Sequence, residues 1–313
     1  MAGPEQPGRD APGGPMPAST APQSPSLIHI ASHGYSASVN PAGAELMSLD
    51  HDGRPLLWPG DVNSWAERAP VLFPTIGLVT NGEIHVGGRA YPMPPHGFAK
   101  RSIFTVTASE PDRCSLTLEA TSATREHYPF AFDLKLDYGL GADGLRIAAT
   151  ITNPGSETLP ASFGFHPGFR WPLEPGVPKS SYRISFDDDR RITTKRPVQG
   201  FFTEESAAVD LPNGHLDLDD DLFVGGGLFL VGPKSSQVRF GSPAGKLALT
   251  VAHENCPDVM LWMKPGAEFL CIEPWHGQPD PAGFADEFSR KPGLARIPPG
   301  QSIVVAMSVG VDS

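Results

Sequence analysis

The chain has few cysteines, only Cys114, Cys256 and Cys271 among 313 residues. They lie far apart and form no Cys-x-x-Cys pair, so the sequence predicts neither a disulfide framework nor a structural zinc site. Chains with so few cysteines are typical of reducing compartments. We therefore expect a cytoplasmic protein.

Long apolar runs are also missing. Nowhere does the chain hold about 18 consecutive apolar residues, which excludes a membrane-spanning helix. Residues 1–26 are rich in Pro, Gly, Ala and Ser, and they contain no apolar core of the kind a signal peptide needs. We predict that residues 1–26 form a disordered tail and that residues 27–313 form a single domain.

Positive charge is scarce. Lys and Arg number 24 against 35 Asp and Glu, which gives a formal net charge of −11. An acidic surface repels nucleic acid and makes a neutral ligand more natural than a strongly anionic one, although a local basic pocket could override the total. We expect no nucleic-acid partner and no membrane partner.

Turn-forming residues, in contrast, are abundant, with 34 glycines and 35 prolines. Short apolar segments recur between turn signals such as Asn40-Pro41-Ala42-Gly43, Asp52-Gly53 and Asp143-Gly144. Such reversals suit antiparallel pairing, and no strand alternates with a long amphipathic helix. The pattern predicts an all-β protein, a large antiparallel β-sandwich.

One carboxylate stands in an apolar run. Glu273 lies within Phe269-Leu270-Cys271-Ile272-Glu273-Pro274-Trp275-His276, a segment typical of a buried strand. Loss of water should raise the pKa of this carboxyl toward the value that suits a general base. A structural role would require a buried cationic partner, which is costly, so we favour a catalytic role.

Two histidines occupy glycine- and aromatic-rich frames, His96 in Pro95-His96-Gly97-Phe98 and His166 in Phe165-His166-Pro167-Gly168. Proline after His166 and after Glu273 holds both residues extended. Taken alone, His96 is more simply a turn residue whose ring caps a carbonyl. For His166, a buried structural histidine and a catalytic one are equally good interpretations.

Other catalytic chemistries have little support. Two histidines and a carboxylate make up a zinc-hydrolase ligand set, but no two of these residues lie within one helical turn and His-Glu-x-x-His is absent. There is also no Gly-x-Ser-x-Gly elbow and no phosphate-cradling glycine loop. We predict that the protein uses no metal and no cofactor.

Five stretches in series resemble the aldose 1-epimerase (galactose mutarotase-like) family, and more closely its bacterial LacX-like branch. They span residues 27 to 311 and are Gly43-Ala44-Glu45-Leu46, Ala69-Pro70-Val71-Leu72-Phe73-Pro74, His96-Gly97-Phe98-Ala99-Lys100, Phe163-Gly164-Phe165-His166-Pro167 and Phe269-Leu270-Cys271-Ile272-Glu273-Pro274-Trp275.

The resemblance implies a supersandwich whose cleft binds a free sugar and interconverts its α and β anomers. It makes Glu273 the general base, His166 the general acid and His96 a second catalytic, substrate-binding histidine. Four residues are expected to bind substrate: Lys100, Arg101, Asp221 and Trp275. The predicted substrate is a free aldohexose, and the protein is expected to be a monomer or a homodimer.

Two positions depart from the family pattern. Leu78 stands where many relatives carry an arginine, and Gly226 stands where relatives place a substrate-binding aspartate, which Asp221 could replace only if its loop folds back. Three alternatives to the mutarotase stay open. The departures favour a non-catalytic carbohydrate-binding protein of the same fold. A hexose-6-phosphate 1-epimerase has Lys100 and Arg101 but loses a third basic residue at Leu78, and a polysaccharide lyase or hydrolase is less suited.

Overall fold

The computed structural model describes residues 26–312, so the predicted tail lies outside the described residues except for Ser26. Within this range the chain is almost entirely β-structure, as predicted. Its strands are β1 (Ile28–Ser32), β2 (Tyr35–Asn40), β3 (Glu45–His51), β4 (Arg54–Pro55), β5 (Val71–Leu72), β6 (Glu83–Val86), β7 (Arg89–Pro92), β8 (Thr105–Ser109), β9 (Arg113–Glu119), β10 (Asp133–Gly141), β11 (Gly144–Thr152), β12 (Leu159–Ala161), β13 (Phe163–Phe165), β14 (Gly168–Arg170), β15 (Arg183–Phe186), β16 (Arg191–Lys195), β17 (Pro197–Val198), β18 (Phe201–Phe202), β19 (Ala207–Asp210), β20 (His215–Asp217), β21 (Leu228–Val231), β22 (Gln237–Gly241), β23 (Ala248–Glu254), β24 (Asp258–Trp262), β25 (Phe269–His276), β26 (Ala295–Ile297) and β27 (Ser302–Asp312).

Helical structure in the described range is short. One α-helix, Ser122–Arg125, is capped by the Thr121 side chain, which accepts a hydrogen bond from the Thr124 backbone N–H. The remaining helical segments are single 3-10 turns: Thr80–Gly82, Ala99–Arg101, Lys179–Ser181, Pro212–Gly214, Asp221–Phe223 and Phe288–Arg290. None of the helices between residues 26 and 312 is long and apolar enough to cross a membrane.

Two large antiparallel sheets dominate the fold. The nine-stranded sheet has the order β20-β15-β22-β23-β27-β11-β10-β9-β8. The eight-stranded sheet has the order β19-β16-β21-β24-β25-β13-β5, with β14 also paired to β25. Strands β1 to β4 form a smaller sheet, and the pairs β6–β7, β12–β26 and β17–β18 are two-stranded ribbons.

The strands alternate as a half-buried sheet requires. In β10 the buried side chains are Leu134, Leu136, Tyr138 and Leu140, and the intervening residues are less buried. Successive side chains of a strand point to opposite faces, so this alternation places one face of the sheet on the core. Each leucine buried in this way contributes about 2 kcal/mol. One cluster of such residues runs from Ile30 to Val309 and joins the sheets.

Candidate active site

Strand β25 carries the centre of the site. Seven of its eight residues are buried, so both of its faces are covered. Because side chains alternate, Leu270 and Ile272 point to one face, and Cys271, Glu273 and Trp275 share the other. The carboxylate of Glu273, at 1 % exposure, therefore stands in a row of non-acidic side chains.

His166 lies directly across the sheet from Glu273. His166 lies in a short break between strands β13 and β14, and both of these strands pair with β25. The register is the same on either side of the break, with Gly164 opposite Trp275 and Gly168 opposite Cys271. The break leaves the imidazole opposite the carboxylate, and the His166 Nδ1 and Glu273 Oε2 atoms are 3.4 Å apart.

Glycines on both sides of His166 make room for two tryptophans. A Cβ on Gly164 would lie 2.6 Å from Trp275 Cδ1, and a Cβ on Gly168 would lie 2.7 Å from Trp65 Cζ3. Trp65 stacks on the His166 ring with centroids 5.1 Å apart and an interplanar angle of 27°. The glycines that flank His166 in the sequence therefore allow aromatic walls to enclose the pair.

Burial sets the electrostatics of the pair. It raises the pKa of Glu273 well above its ordinary value, while the nearby indole N–H of Trp275 lowers it in part. Burial also lowers the pKa of His166, and repulsion from His96, when that ring is protonated, and from Lys100 acts in the same direction. Neither Nδ1 of His166 nor Oε2 of Glu273 has a hydrogen-bond partner. No hydrogen bond to a third group therefore holds either atom, and the two atoms face each other.

His96 is held by the backbone of a neighbouring loop. The ring Nδ1 accepts a hydrogen bond from the Gly77 backbone N–H at 3.2 Å, and the His96 backbone N–H donates to the Gly77 carbonyl at 2.8 Å. The acceptor role of Nδ1 leaves the proton of the neutral ring on Nε2. Burial, reinforced by Lys100 and Arg101, lowers the pKa of His96 to about 3. The ring centroids of His96 and His166 are 5.6 Å apart.

These three residues line a cleft of about 410 Å³. A volume of this order suits a small organic ligand. Trp65, Trp262 and Trp275 supply its aromatic surface. The rest of its wall is largely apolar or backbone, with these residues: Gly77, Leu78, Pro197, Gly200, Gly225, Gly226, Gly227, Met260 and Pro279.

The predicted site residues separate into two groups. Glu273, His166, His96 and Trp275 all line the cleft. Lys100, Arg101 and Asp221 are not among its lining residues.

The three residues outside the cleft have other surroundings. Lys100 Nζ binds both carboxylate oxygens of Glu67, at 2.6 and 2.8 Å. Arg101 Nη1 donates to the carbonyls of Pro95 and Gly97. Asp221 is exposed at the start of a 3-10 turn, so its loop does not fold back to the place left by Gly226.

Among the cleft residues that were not predicted from the sequence, four have an aromatic or polar side chain: Trp65, Glu67, Gln199 and Trp262. Trp262 pairs with Cys271 across β24 and β25, which places it on the Glu273 face. Trp65 and Glu67 lie in a segment without regular structure, and Gln199 has a left-handed φ of 52° in the tight β17–β18 turn. Their only sequence signal is an aromatic or polar residue in a loop, which is too common to be selective.

One group of side chains in the described range has the composition of a metal site. His166, Cys271 and Glu273 are all buried, and one ligand atom from each lies within 4.8 Å of the others. The sequence did not predict this grouping, because Cys271 has no neighbouring cysteine or histidine in the chain.

A large antiparallel sandwich whose aromatic cleft contains a buried carboxylate opposite an imidazole defines the class of mutarotase-like carbohydrate proteins. The chain belongs to the aldose 1-epimerase family, whose family model matches residues 26–303. The resemblance noted from the five sequence stretches is confirmed.

Relatives support the same family. Protein LacX (plasmid) of Lactococcus lactis subsp. lactis is 26% identical over 268 residues, which cover 82% of this chain and 90% of LacX. A galactose mutarotase-like protein from Lactobacillus casei is 27% identical with a TM-score of 0.84, covering 92% of this chain and 100% of that one. A galactose mutarotase related enzyme from Lactobacillus acidophilus has a TM-score of 0.86 at 24% identity, and the match covers 92% of this chain and 98% of that one. This likeness shows that the two chains share a fold. Family membership supports a sugar epimerase-type function.

Proposed function

We propose that the protein is an aldose 1-epimerase that interconverts the α and β anomers of a free aldohexose. The observation that carries the proposal is the buried Glu273–His166 pair, 3.4 Å apart and without other partners, at the wall of an aromatic cleft. Membership of the aldose 1-epimerase family supports it independently.

The proposed reaction needs two proton transfers. Glu273 takes the proton of the anomeric O1 hydroxyl while the C1–O5 bond breaks, and the electron pair of that bond goes to O5. His166, as imidazolium, gives its proton to O5, so C1 and O1 become an aldehyde. Rotation about C1–C2 and the reverse transfers close the ring with O1 on the other face. No atom is gained or lost, and each positioned transfer is typically worth about 10²- to 10⁴-fold.

The buried position of the pair favours ring opening. The reactive form carries one proton, held by His166 beside the ionised Glu273. Since burial raises the pKa of the carboxyl and lowers the pKa of the imidazole, it makes Glu273 a stronger base and His166 a stronger acid. The step removes both charges from the protein, and these are the charges that burial disfavours.

His96 has a separate role in this proposal. Its Nδ1 is occupied by Gly77, so the ring presents Nε2–H as a fixed hydrogen-bond donor to a sugar oxygen. A pKa of about 3 keeps it neutral at physiological pH, so it does not compete with His166 as an acid. Trp65, Trp262 and Trp275 supply flat surfaces for the C–H face of the sugar.

A neutral sugar is favoured over a hexose 6-phosphate. Lys100 is 11% exposed and paired with Glu67, which itself lines the cleft. Arg101 donates to backbone carbonyls, and Leu78 adds no charge. A phosphate would meet the carboxylates of Glu67 and Glu273, and no arginine or lysine of the described residues lines the cleft to bind it.

The test is anomer exchange by polarimetry or NMR on freshly dissolved glucose and galactose. We expect acceleration above the spontaneous rate, and Glu273→Gln should reduce it by at least about 10²-fold because the base is lost. Glu268→Gln is the matched control, since this exposed glutamate lies five residues earlier. A fully active Glu273→Gln variant would contradict the proposal.

A binding protein without turnover is the second candidate, and Leu78 and Gly226 in the cleft wall favour it. Calorimetry separates the two: sugar binding without any accelerated exchange would support the binding protein. The retained Glu273–His166 pair favours the enzyme, since a binding protein has little use for an unpaired buried carboxylate.

Domain organisation, oligomeric state and location in the cell are also proposals. Residues 27–313 are proposed to form a single domain, active as a monomer or homodimer. A cytoplasmic location is supported by Cys114, Cys256 and Cys271, which are all free and buried.

A further inference from the structure

The β25 face that carries Glu273 also carries a thiol. Cys271 lies two residues before Glu273 on the same side of the strand and is fully buried. One ligand atom each from Cys271, His166 and Glu273 lies within 4.8 Å of the others. We propose that these three side chains bind a thiophilic divalent cation such as Zn²⁺, and that the bound cation inhibits the enzyme reversibly.

Two unpartnered atoms support the site. Nδ1 of His166 and Oε2 of Glu273 are buried and have no hydrogen-bond partner, although the two residues are 8% and 1% exposed. Buried polar atoms without partners are costly, and a cation placed between them would satisfy both at once. Both residues also line the cleft, which gives an ion a route toward the pair.

The geometry fits a four-coordinate ion with small side-chain movements. Zinc binds nitrogen and oxygen at about 2.0–2.2 Å and sulfur at about 2.3 Å, so ligand atoms around it lie roughly 3.3–3.8 Å apart. The 3.4 Å between His166 and Glu273 already meets this spacing. Three protein ligands leave a fourth position, which faces the cleft and can hold water or a sugar hydroxyl.

The ligand chemistry selects the ion. A thiolate, an imidazole and one carboxylate favour Zn²⁺ or Co²⁺, whereas Mg²⁺ and Ca²⁺ prefer sites made of oxygen alone. On binding, Cys271 releases its thiol proton and the Glu273–His166 pair releases its one proton to solvent, so His166 binds as neutral imidazole and Glu273 as carboxylate. The bound ion then engages His166 and Glu273, the two groups that the proposed proton transfers require. Inhibition of the enzyme therefore rests on the proposed function, whereas binding of the ion does not.

Binding is tested with Co²⁺ added to the full-length, metal-free protein. We expect one equivalent to bind with a thiolate-to-cobalt charge-transfer band and the visible bands of a four-coordinate ion. Cys271→Ala should abolish the charge-transfer band and weaken binding at least tenfold. Cys114→Ala, which removes another buried thiol, should leave both unchanged.

Two results would overturn the proposal: no Co²⁺ or Zn²⁺ binding by the unaltered protein, or binding that Cys271→Ala does not weaken. Cys271→Ser keeps the side-chain volume and guards against a folding defect, and it too should lose the charge-transfer band. His166→Asn should weaken Co²⁺ binding without a change in cysteine content.

Inhibition is measured separately. Zn²⁺ should slow anomer exchange by the unaltered protein, and a chelator should restore it. Each variant is compared with its own metal-free rate, and Cys271→Ser should need at least tenfold more Zn²⁺ for the same fractional loss. If no sugar is exchanged even without metal, the proposed function fails while Co²⁺ spectra still decide the site. If exchange is normal and Zn²⁺ binds without inhibiting, the inhibitory site is wrong.

Discussion

At the scale of single residues, the site depends on placing two ionisable groups where neither has water or a fixed partner. Glu273 is enclosed by Trp275 and by His166, which is itself stacked on Trp65. The same burial that is costly for folding moves the pKa values of Glu273 and His166 in the directions that the proposed proton transfer needs. In the proposed function, stability is therefore exchanged for reactivity at these positions.

The activity should show a bell-shaped dependence on pH. The reactive pair holds one proton, so activity falls on the acid side when a second proton enters and on the alkaline side when the last one leaves. The lowered pKa of His166 and the raised pKa of Glu273 place the maximum between the two steps. Measurement of kcat/KM against pH, with the spontaneous rate subtracted, checks this. A profile with no decrease on either side, over the pH range in which the protein stays folded, would contradict it.

His96 should make folding stability depend on pH. Its pKa falls from 6.5 to about 3 on folding, so the folded state binds fewer protons between these values. Stability is therefore lost as pH falls from 6.5 toward 3, at up to about 1.4 kcal/mol per pH unit. Asparagine tolerates the left-handed φ of 64° at this position. Between pH 6.5 and 5, the His96→Asn variant should therefore lose less unfolding free energy than the unaltered protein, by up to about 2 kcal/mol.

Urea unfolding at the two pH values measures this difference. His33→Asn is the control, because His33 also has a left-handed φ of 51° but is exposed. An equal pH dependence in the His96→Asn variant and the unaltered protein would show that His96 is not the cause.

At the scale of elements, the positions of Glu273, His166 and His96 depend on backbone arrangements that bring distant segments together. The break between β13 and β14 places His166 across from Glu273. The loop with His96 lies against β5, where Gly97 forms a bridge with Phe73. A loop held this closely by backbone atoms cannot easily shift to accommodate a larger residue.

Gly97→Ala should disturb this loop severely. The new Cβ would lie 2.1 Å from the Phe73 carbonyl oxygen, in addition to the left-handed φ of 72°. Gly88→Ala is the matched control, with a φ of 74° and no atom within 4 Å of the new Cβ. The control should lose about 1–2 kcal/mol of unfolding free energy, and Gly97→Ala should lose more and also slow anomer exchange.

Denaturant unfolding and exchange rates of the two variants provide the comparison. If Gly97→Ala and Gly88→Ala were equally stable and equally active, the close packing of the His96 loop would not be needed for the site.

Sequence patterns predicted the elements unevenly. β10 and β11 were evident, because their leucines and isoleucines alternate with polar residues over nine positions each. β16 and β19 were missed, since Arg191–Lys195 has only Ile192 and Thr194 buried and Ala207–Asp210 has no buried residue. β19 is the edge strand of its sheet and β16 lies next to it, so both bury little and leave a weak apolar pattern.

At the scale of the whole molecule, charge is distributed so that no strongly basic region faces the cleft in the described part of the chain. The net charge of −11 belongs to the whole sequence, and Glu67 and Glu273 add carboxylates at the cleft itself. Long-range electrostatics then neither attracts nor repels a neutral sugar, but opposes a phosphorylated one.

Salt should distinguish these substrates. For glucose or galactose we expect kcat/KM to change by less than about twofold between 0.05 and 0.5 M NaCl, because a neutral ligand is not steered by charge. Any exchange of a hexose 6-phosphate should be slower and should increase with salt as repulsion is screened. A steep decrease with salt for the phosphorylated sugar would instead indicate a basic phosphate site.

The sequence by itself determined the β-sandwich and the burial of Glu273, because alternation, turn residues and proline neighbours are local properties, and the resemblance of five stretches to a known family selected His166 and His96. Only the tertiary structure decided the contacts between distant segments. It placed Trp65 and Glu67 at the cleft, paired Lys100 with Glu67 and left Asp221 outside. It also brought Cys271 within reach of the acid–base pair. Strand register and loop packing set these distances, and neither can be determined from spacing along the chain.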